Sequence, residues 1–163
     1  DPACLVQNLA LKKARAVAKL HPDDVVLAAD TVVALDNHIL GKPQDKEQAQ
    51  KMLRMLSNRV HQVYTGYCIL KQSRCEIGVS CTSVEFYPLS DEDIESYIAT
   101  GEPFDKAGGY GIQSLGALLV RKIDGDFYNV VGLPIAEISR LLRTFGSSKT
   151  AAESNHEKES PTL

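Results

Sequence analysis

The sequence has no tryptophan, two methionines and only 6% aromatic residues. It therefore lacks the aromatic platforms on which single-stranded nucleic acids stack. It also lacks an excess of basic charge: 18 Lys and Arg stand against 21 Asp and Glu, a net charge of -3. That balance excludes the basic footprint of a nucleic-acid-binding module. No apolar run approaches the ~20 residues needed to cross a bilayer. No signal-peptide pattern opens the chain, which starts at Asp1. Cysteine is sparse. Cys4, Cys68, Cys75 and Cys81 form no C-x-x-C pair and no zinc-type spacing with histidine. Cys68, Cys75 and Cys81 lie in or beside predicted strands and read as reduced, mostly hydrophobe-like thiols of a cytoplasmic protein. No internal repeat is present.

What remains is an ordinary globular composition, 44% hydrophobic and 24% charged over 163 residues. One domain is the simplest reading, long enough to bury about two-thirds of its unfolded surface. Residues 1–145 are expected to form it. Residues 146–163 are polar and almost free of large apolar side chains, so a disordered tail is expected there.

The stretch LAADTVVALDNHILGKP organises the rest. Val25, Val26, Leu27 and Ala28 form an apolar run of buried-strand length that ends on the carboxylate of Asp30. A second run, Thr31 to Leu35, breaks at Asp36-Asn37, a pair suited to a tight turn. The chain resumes at His38 and closes in Gly41-Lys42-Pro43. The spacing predicts a hairpin with Asp30 and Lys42 near each other at one end. Such a pair can hold a metal and a phosphate, or it can be a surface ion pair flanking the hairpin.

Leu5 to Leu20 reads as a helix with Leu5, Leu9, Ala10, Lys13, Ala16 and Val17 along one face. Lys13 on that face either snorkels at the core edge or points into a cleft. Asp45 is a suitable N-cap, with Gln48 as a capping-box partner, for a helix to Leu56 whose Ala49, Met52, Leu53 and Leu56 face inward. Val60–Leu70 and Glu76–Tyr87 alternate as an antiparallel strand pair around a turn at Gln72-Ser73-Arg74. Thr65-Gly66 interrupts the first strand and signals a bulge or a close backbone approach, which a ligand could cause. Ser90 caps a helix to Thr100, with Gly101 at its C′ position. A glycine-dense, charge-punctuated segment follows to Gln113. Ala117–Ile123 reads as a strand, Phe127–Val131 as a short extended piece, and Pro134 as the first residue of a last helix. The fold class is α/β, a mixed twisted sheet flanked by helices.

Five segments in order carry a further signal: ADTVV at Ala29–Val33, ILGKP at Ile39–Pro43, LSNRVHQVYTG at Leu56–Gly66, GEPFDKAGGYGIQ at Gly101–Gln113 and NVVGLP at Asn129–Pro134. Together they resemble the Maf-type nucleoside triphosphate pyrophosphatases, also called septum-formation proteins. YGIQ resembles the branch acting on dTTP and UTP. Asn58 and Ser114 stand where glycine is usual in the family. The chain also looks like a family member without its first ~35–40 residues, of order a quarter of a domain this size. In the family that segment carries a strand and a Ser-x-Ser-Pro-Arg-Arg phosphate loop. On that expectation a sheet edge stays open and part of the phosphate site is missing, so a non-catalytic nucleotide-binding or regulatory module is the alternative reading.

The resemblance implies two lobes around a cleft, a homodimer, and a cytoplasmic house-cleaning hydrolase. It implies hydrolysis of a nucleoside triphosphate to the monophosphate and pyrophosphate with a divalent metal, Mg²⁺ or Mn²⁺. Asp30 matches the catalytic aspartate, as proton acceptor, metal ligand or both. Lys13 and Lys42 match phosphate-contacting lysines. Thr31 and Gln113 match positions of base selection. Asp105, Lys106 and Thr65 are further candidates, and His61 reads as a structural histidine with no obvious partner. Asp30, Lys42, Lys13 and Gln113 are expected to line one cleft.

Overall fold

A computed structural model describes residues 1–146; the polar tail expected at 146–163 lies, beyond its first residue, outside the described residues. Five strands form one sheet in the order β2-β1-β3-β4-β5, with β1 at Val26–Leu35, β2 at His38–Leu40, β3 at Val60–Lys71, β4 at Arg74–Phe86 and β5 at Val120–Asp124. All four pairings are antiparallel, so no parallel pair occurs among the described strands. Helices flank the sheet: α1 at Pro2–Ala18, α2 at Lys46–Leu56, α3 at Asp91–Ala99, the short α4 at Phe127–Val131 and α5 at Ile135–Gly146.

The β1–β2 hairpin turns at Asp36 and Asn37, whose φ values of 50° and 64° are the left-handed pair that a two-residue turn requires. Strand β1 does not end on Asp30. It runs on through it, because β3 pairs with it from Val26↔Leu70 to Ala34↔Gln62, with Asp30 opposite Gly66. Side chains alternate across a strand. Val26 and Ala28 pack with Cys68 against Ala10 and Ala14 of α1. Val33, Leu35 and Val63 pack on the other face with α2 and α3. Asp30 therefore belongs to the α1 face and Thr31 to the opposite one.

Helix α1 buries Ala10 of the expected stripe together with Val6 and Ala14; Leu5, Lys13, Ala16 and Val17 are exposed. The reason lies in the sheet. A Cβ on Gly66 would stand 2.3 Å from the Val6 carbonyl carbon and 2.5 Å from the Gln7 nitrogen. The helix rides directly on that glycine, and only small residues fit between. The close approach signalled at Gly66 is thus to the α1 backbone, and the pairing passes it without a bulge.

Asp45 caps α2 by accepting from the Gln48 amide at 2.8 Å. The Gln48 side chain accepts from the Gln44 amide and donates to the Asp45 carboxylate, so the bond to the Asp45 backbone amide that a capping box needs is not made. Leu53 and Leu56 are fully buried, each contributing about 1.5–3 kcal/mol of burial, whereas Met52 is half-buried. Ser90 and Asp93 form a reciprocal capping box on α3. The strand expected at Ala117–Ile123 is found as β5 but begins only at Val120, and the extended piece expected at Phe127–Val131 is corrected. Residues 114–119 form a 3-10 turn before β5, because Gly116 packs so tightly on the Gly111 carbonyl that a Cβ would fall 1.8 Å from its oxygen. Residues 127–131 are helical, because Asp126 caps the Tyr128 amide at 2.9 Å. Pro134 lies just before α5, its carbonyl accepting from Ile138.

Candidate active site

A cavity of about 280 Å³ opens on the face of β1 away from α1, lined by Thr31, Val33, Val63, Tyr110 and Gln113, with Asp105 and Lys106 at its side. Its size is at the low end for ligand pockets, suited to a base and not to a whole triphosphate. The glycine-dense segment forms the far wall. It is fastened by the Gly108 amide, which donates to the Gly41 carbonyl at 3.0 Å, and by the contact of Gly108 with Val33, where a Cβ would come within 2.9 Å. Gly108 also holds a φ of +72° that disfavours any other residue.

Tyr110 is anchored from behind. His61 on β3 is fully buried, and its Nε2 lies 2.7 Å from the Tyr110 hydroxyl. Both rings meet Phe86 edge-on, at 5.0 Å and 4.6 Å between centroids. His61 thus has a partner that the sequence did not disclose. Burial lowers its pKa from 6.5 to about 4, and burial raises that of the Tyr110 hydroxyl.

A second acidic side chain, Asp30, lies outside the cavity lining. Its carboxylate pairs with the Lys13 ammonium, which also donates to the Ala29 carbonyl at 3.2 Å. That pair sits on the α1 face, one residue along the strand from Thr31. Asp30 and Lys13 are therefore brought together, and Thr31, Gln113, Asp105 and Lys106 are brought together in the cavity. The two groups lie on opposite faces of β1 and do not share one walled pocket. Lys42 is exposed on the turn after β2 and close enough to Asp105 to favour its charged form. The Asp105 carboxyl is held below the usual range first by the Lys106 ammonium bonded to it at 2.9 Å.

Thr65 does not line the cavity. It is fully buried behind Thr31, and the two hydroxyls lie 2.7 Å apart. The Thr65 hydroxyl donates to the Asn129 carbonyl at 3.0 Å. Asn129 is fully buried as well, its amide nitrogen donating to the Val63 carbonyl and the Thr82 hydroxyl. Sequence reasoning missed Tyr110 and Asn129. Both stand inside the quoted motifs, but the partners that give them a role lie 49 and 64–66 residues away.

Among the described residues no three His, Cys, Asp or Glu side chains converge on a point that could hold a metal ion. Asp30 alone would offer a carboxylate beside phosphate oxygens. That fits an ion such as Mg²⁺, which keeps several waters and takes one or two carboxylates plus substrate phosphates. A second groove, about 460 Å³, lies between α3 and residues 115–119. Its acidic residue, Asp93, is spent on the α3 cap, which leaves a lining of Leu115, Leu118, Leu119 and hydroxyl side chains such as Ser96 and Thr100. No helix among the described residues is long and apolar enough to cross a membrane.

Comparison with known proteins gives a consistent result. The Maf-like protein family matches residues 1–145. The chain is 52% identical over 144 residues to a dTTP/UTP pyrophosphatase of Halalkalibacterium halodurans, covering 88% of this chain and 76% of that protein. It is 56% identical over 140 residues to one from Bacillus velezensis, covering 86% and 74%. It is 50% identical over 145 residues to one from Acholeplasma laidlawii, covering 89% and 76%.

Proposed function

The chain belongs to the Maf-like protein family, and on that premise we propose that it is a nucleoside triphosphate pyrophosphatase, hydrolysing dTTP and UTP to the monophosphate and pyrophosphate. The observation that carries this reading is the adjacency of Asp30 and Thr31. One strand offers a carboxylate on its α1 side and, at the next residue, one wall of a base-sized cavity.

The reaction needs water activated at the α-phosphorus and cations along the phosphates as charge moves to pyrophosphate. Asp30 is the proton acceptor in this reading. Lys13 holds its carboxylate while the triphosphate is absent. Phosphate oxygens compete for that ammonium, so binding draws Lys13 onto the phosphates and frees the carboxylate for the attacking water. Lys42 and Lys106 add positive charge at the cavity mouth. Thr31 and Gln113 meet the base. A divalent cation, Mg²⁺ or Mn²⁺, would be held by Asp30 and would supply charge neutralisation on the phosphates. The same reading carries the homodimeric, cytoplasmic state that the family resemblance implies.

The test is pyrophosphate release from dTTP, UTP, CTP, ATP and GTP across a Mg²⁺ and Mn²⁺ titration. Turnover highest with dTTP and UTP is expected. Binding of these nucleotides without turnover at any metal concentration would replace the enzyme with a nucleotide-binding module.

A further inference from the structure

One feature of the cavity follows from proton counting. A threonine hydroxyl has one proton and two lone pairs. The Thr65 hydroxyl lies 3.0 Å from the Asn129 carbonyl oxygen, which can only accept. Thr65 is fully buried, and that contact takes its one proton. The 2.7 Å contact between the Thr65 and Thr31 hydroxyls then has a fixed direction: Thr31 donates and Thr65 accepts. The rest of the network agrees. Asn129 must turn its amide nitrogen to the Val63 carbonyl, and the Thr82 hydroxyl, which accepts from that nitrogen, spends its own proton on the Asp126 carbonyl.

Thr31 lines the cavity with its proton already committed. Its hydroxyl has only lone pairs left for a ligand. Gln113 differs. It is exposed, and among the described residues no hydrogen bond fixes its amide. A free amide can turn over and match either a donor-acceptor or an acceptor-donor edge. Gln113 can therefore bind a pyrimidine edge but cannot by itself tell uracil from cytosine. The two bases differ at N3, which is an N–H donor in uracil and thymine and a bare acceptor in cytosine.

We propose that Thr65 is a positioning residue that locks Thr31 as a hydrogen-bond acceptor, so that the cavity selects bases with an N3–H donor, uracil and thymine, over cytosine. This rests on the nucleotide reading above and adds the group that sets the choice. Cytosine would bring lone pair against lone pair at Thr31, a mismatch worth roughly ten-fold or more in affinity.

The test is equilibrium binding of α,β-non-hydrolysable UTP and CTP analogues by calorimetry, which reads selectivity without turnover. The wild-type protein should prefer the UTP analogue. Thr65→Val removes the acceptor for the Thr31 proton and lets that hydroxyl turn and donate, so the preference should fall by about ten-fold. Thr65→Ser keeps the hydroxyl and should keep the preference. Combining Thr31→Val with Thr65→Val should lose no more selectivity than either change alone, since both act through one hydroxyl. Should the valine variant not fold, neutron diffraction from the unsubstituted protein decides directly: a deuteron on Thr31 directed at Thr65 supports the inference, and one directed into the cavity overturns it. Retained preference in Thr65→Val, its loss in Thr65→Ser, or equal wild-type binding of the two analogues overturns the inference and leaves the hydrolase reading standing. Wild-type binding of neither analogue overturns both.

Discussion

Gly66 and Val6 touch backbone to backbone, with room for no atom between them: a Cβ on Gly66 would sit 2.3 Å from the Val6 carbonyl carbon. This contact sets the height of α1 above the sheet, and α1 carries Lys13 to Asp30. Gly66→Ala must push a rigid helix backbone, since no flexible side chain stands in the way to yield. A loss of about 3 kcal/mol, the upper end for overpacking, is expected in urea unfolding. Turnover should fall with it as Lys13 retreats. A Gly66→Ala protein with wild-type stability would show that α1 is free to lift.

Ser114 lies at φ 57°, in the left-handed region, directly after Gln113 of the cavity lining. Asn58 lies at φ 55°. These are the two positions where the family resemblance leads to the expectation of a glycine. Asparagine tolerates this backbone; serine does so at a cost. The Ser114 side chain also helps to hold the Glu102 carboxyl below its usual range, so the strain is isolated by comparing two variants that both lack the hydroxyl. Ser114→Gly should be more stable than Ser114→Ala by about 1 kcal/mol, or roughly 2–4 °C in Tm for a domain of this size. Equal melting temperatures would mean that the loop relaxes out of the left-handed region.

These cases also show which parts of the fold are legible in the chain. Asp36-Asn37, Asp45 and Ser90 announce their turns and caps through their own side chains, and the structure agrees because those interactions are local. The face of α1 is read correctly at Ala10 but not at Ala14, because Leu5 and Val17 are more hydrophobic than Ala14. What selects the buried face is the flatness required over Gly66, a property of a strand far along the sequence. Phe127–Val131 is a short apolar run of the kind that periodicity cannot assign to strand or helix; the Asp126 cap decides it. Of the candidates that the motifs single out, Gln113 lines the cavity, whereas Asp30 and Lys42 lie outside its lining. The separation of Asp30 from the Thr31 cavity follows from β1 running straight through both, which the charged residue in mid-strand conceals.

His61 makes stability depend on pH in a defined window. Its pKa lies at about 4 in the folded protein, against 6.5 as the ordinary value, because burial disfavours the charged ring. Above pH 6.5 both folded and unfolded chains hold it neutral, and it adds no pH dependence. Between 6.5 and 4 the unfolded chain takes up a proton that the folded chain refuses, so stability is lost as pH falls through that range. The loss totals about 3 kcal/mol. His61→Gln keeps a polar end within reach of Tyr110 but cannot titrate, so its stability curve should be flatter by one proton between pH 6.5 and 4. Parallel curves for the two proteins would assign the acid sensitivity elsewhere.

The Lys13–Asp30 pair separates the two roles open to Asp30. Asp30→Asn keeps the shape of the side chain and an oxygen for Lys13, but it loses the charge and cannot take a proton. Stability should move by no more than about 1 kcal/mol, since the Lys13 side chain is half-exposed and pairs of this kind contribute little. Turnover should drop by about 10²–10⁴-fold, roughly 3–5 kcal/mol of barrier, if the carboxylate is the general base. Such a loss would resist added metal, and substrate would bind with near-normal affinity. If Asp30 acts chiefly by holding a divalent cation, raising Mg²⁺ or Mn²⁺ should restore part of the rate, because weakened binding is overcome by concentration. Lys13→Met provides the counterpart. It leaves Asp30 charged and without its partner, so KM for the triphosphate should rise more than kcat falls, as expected when a ground-state phosphate contact is removed. An Asp30→Asn protein that keeps more than about a tenth of wild-type kcat would exclude both roles, because even the weaker end of general-base catalysis exceeds that.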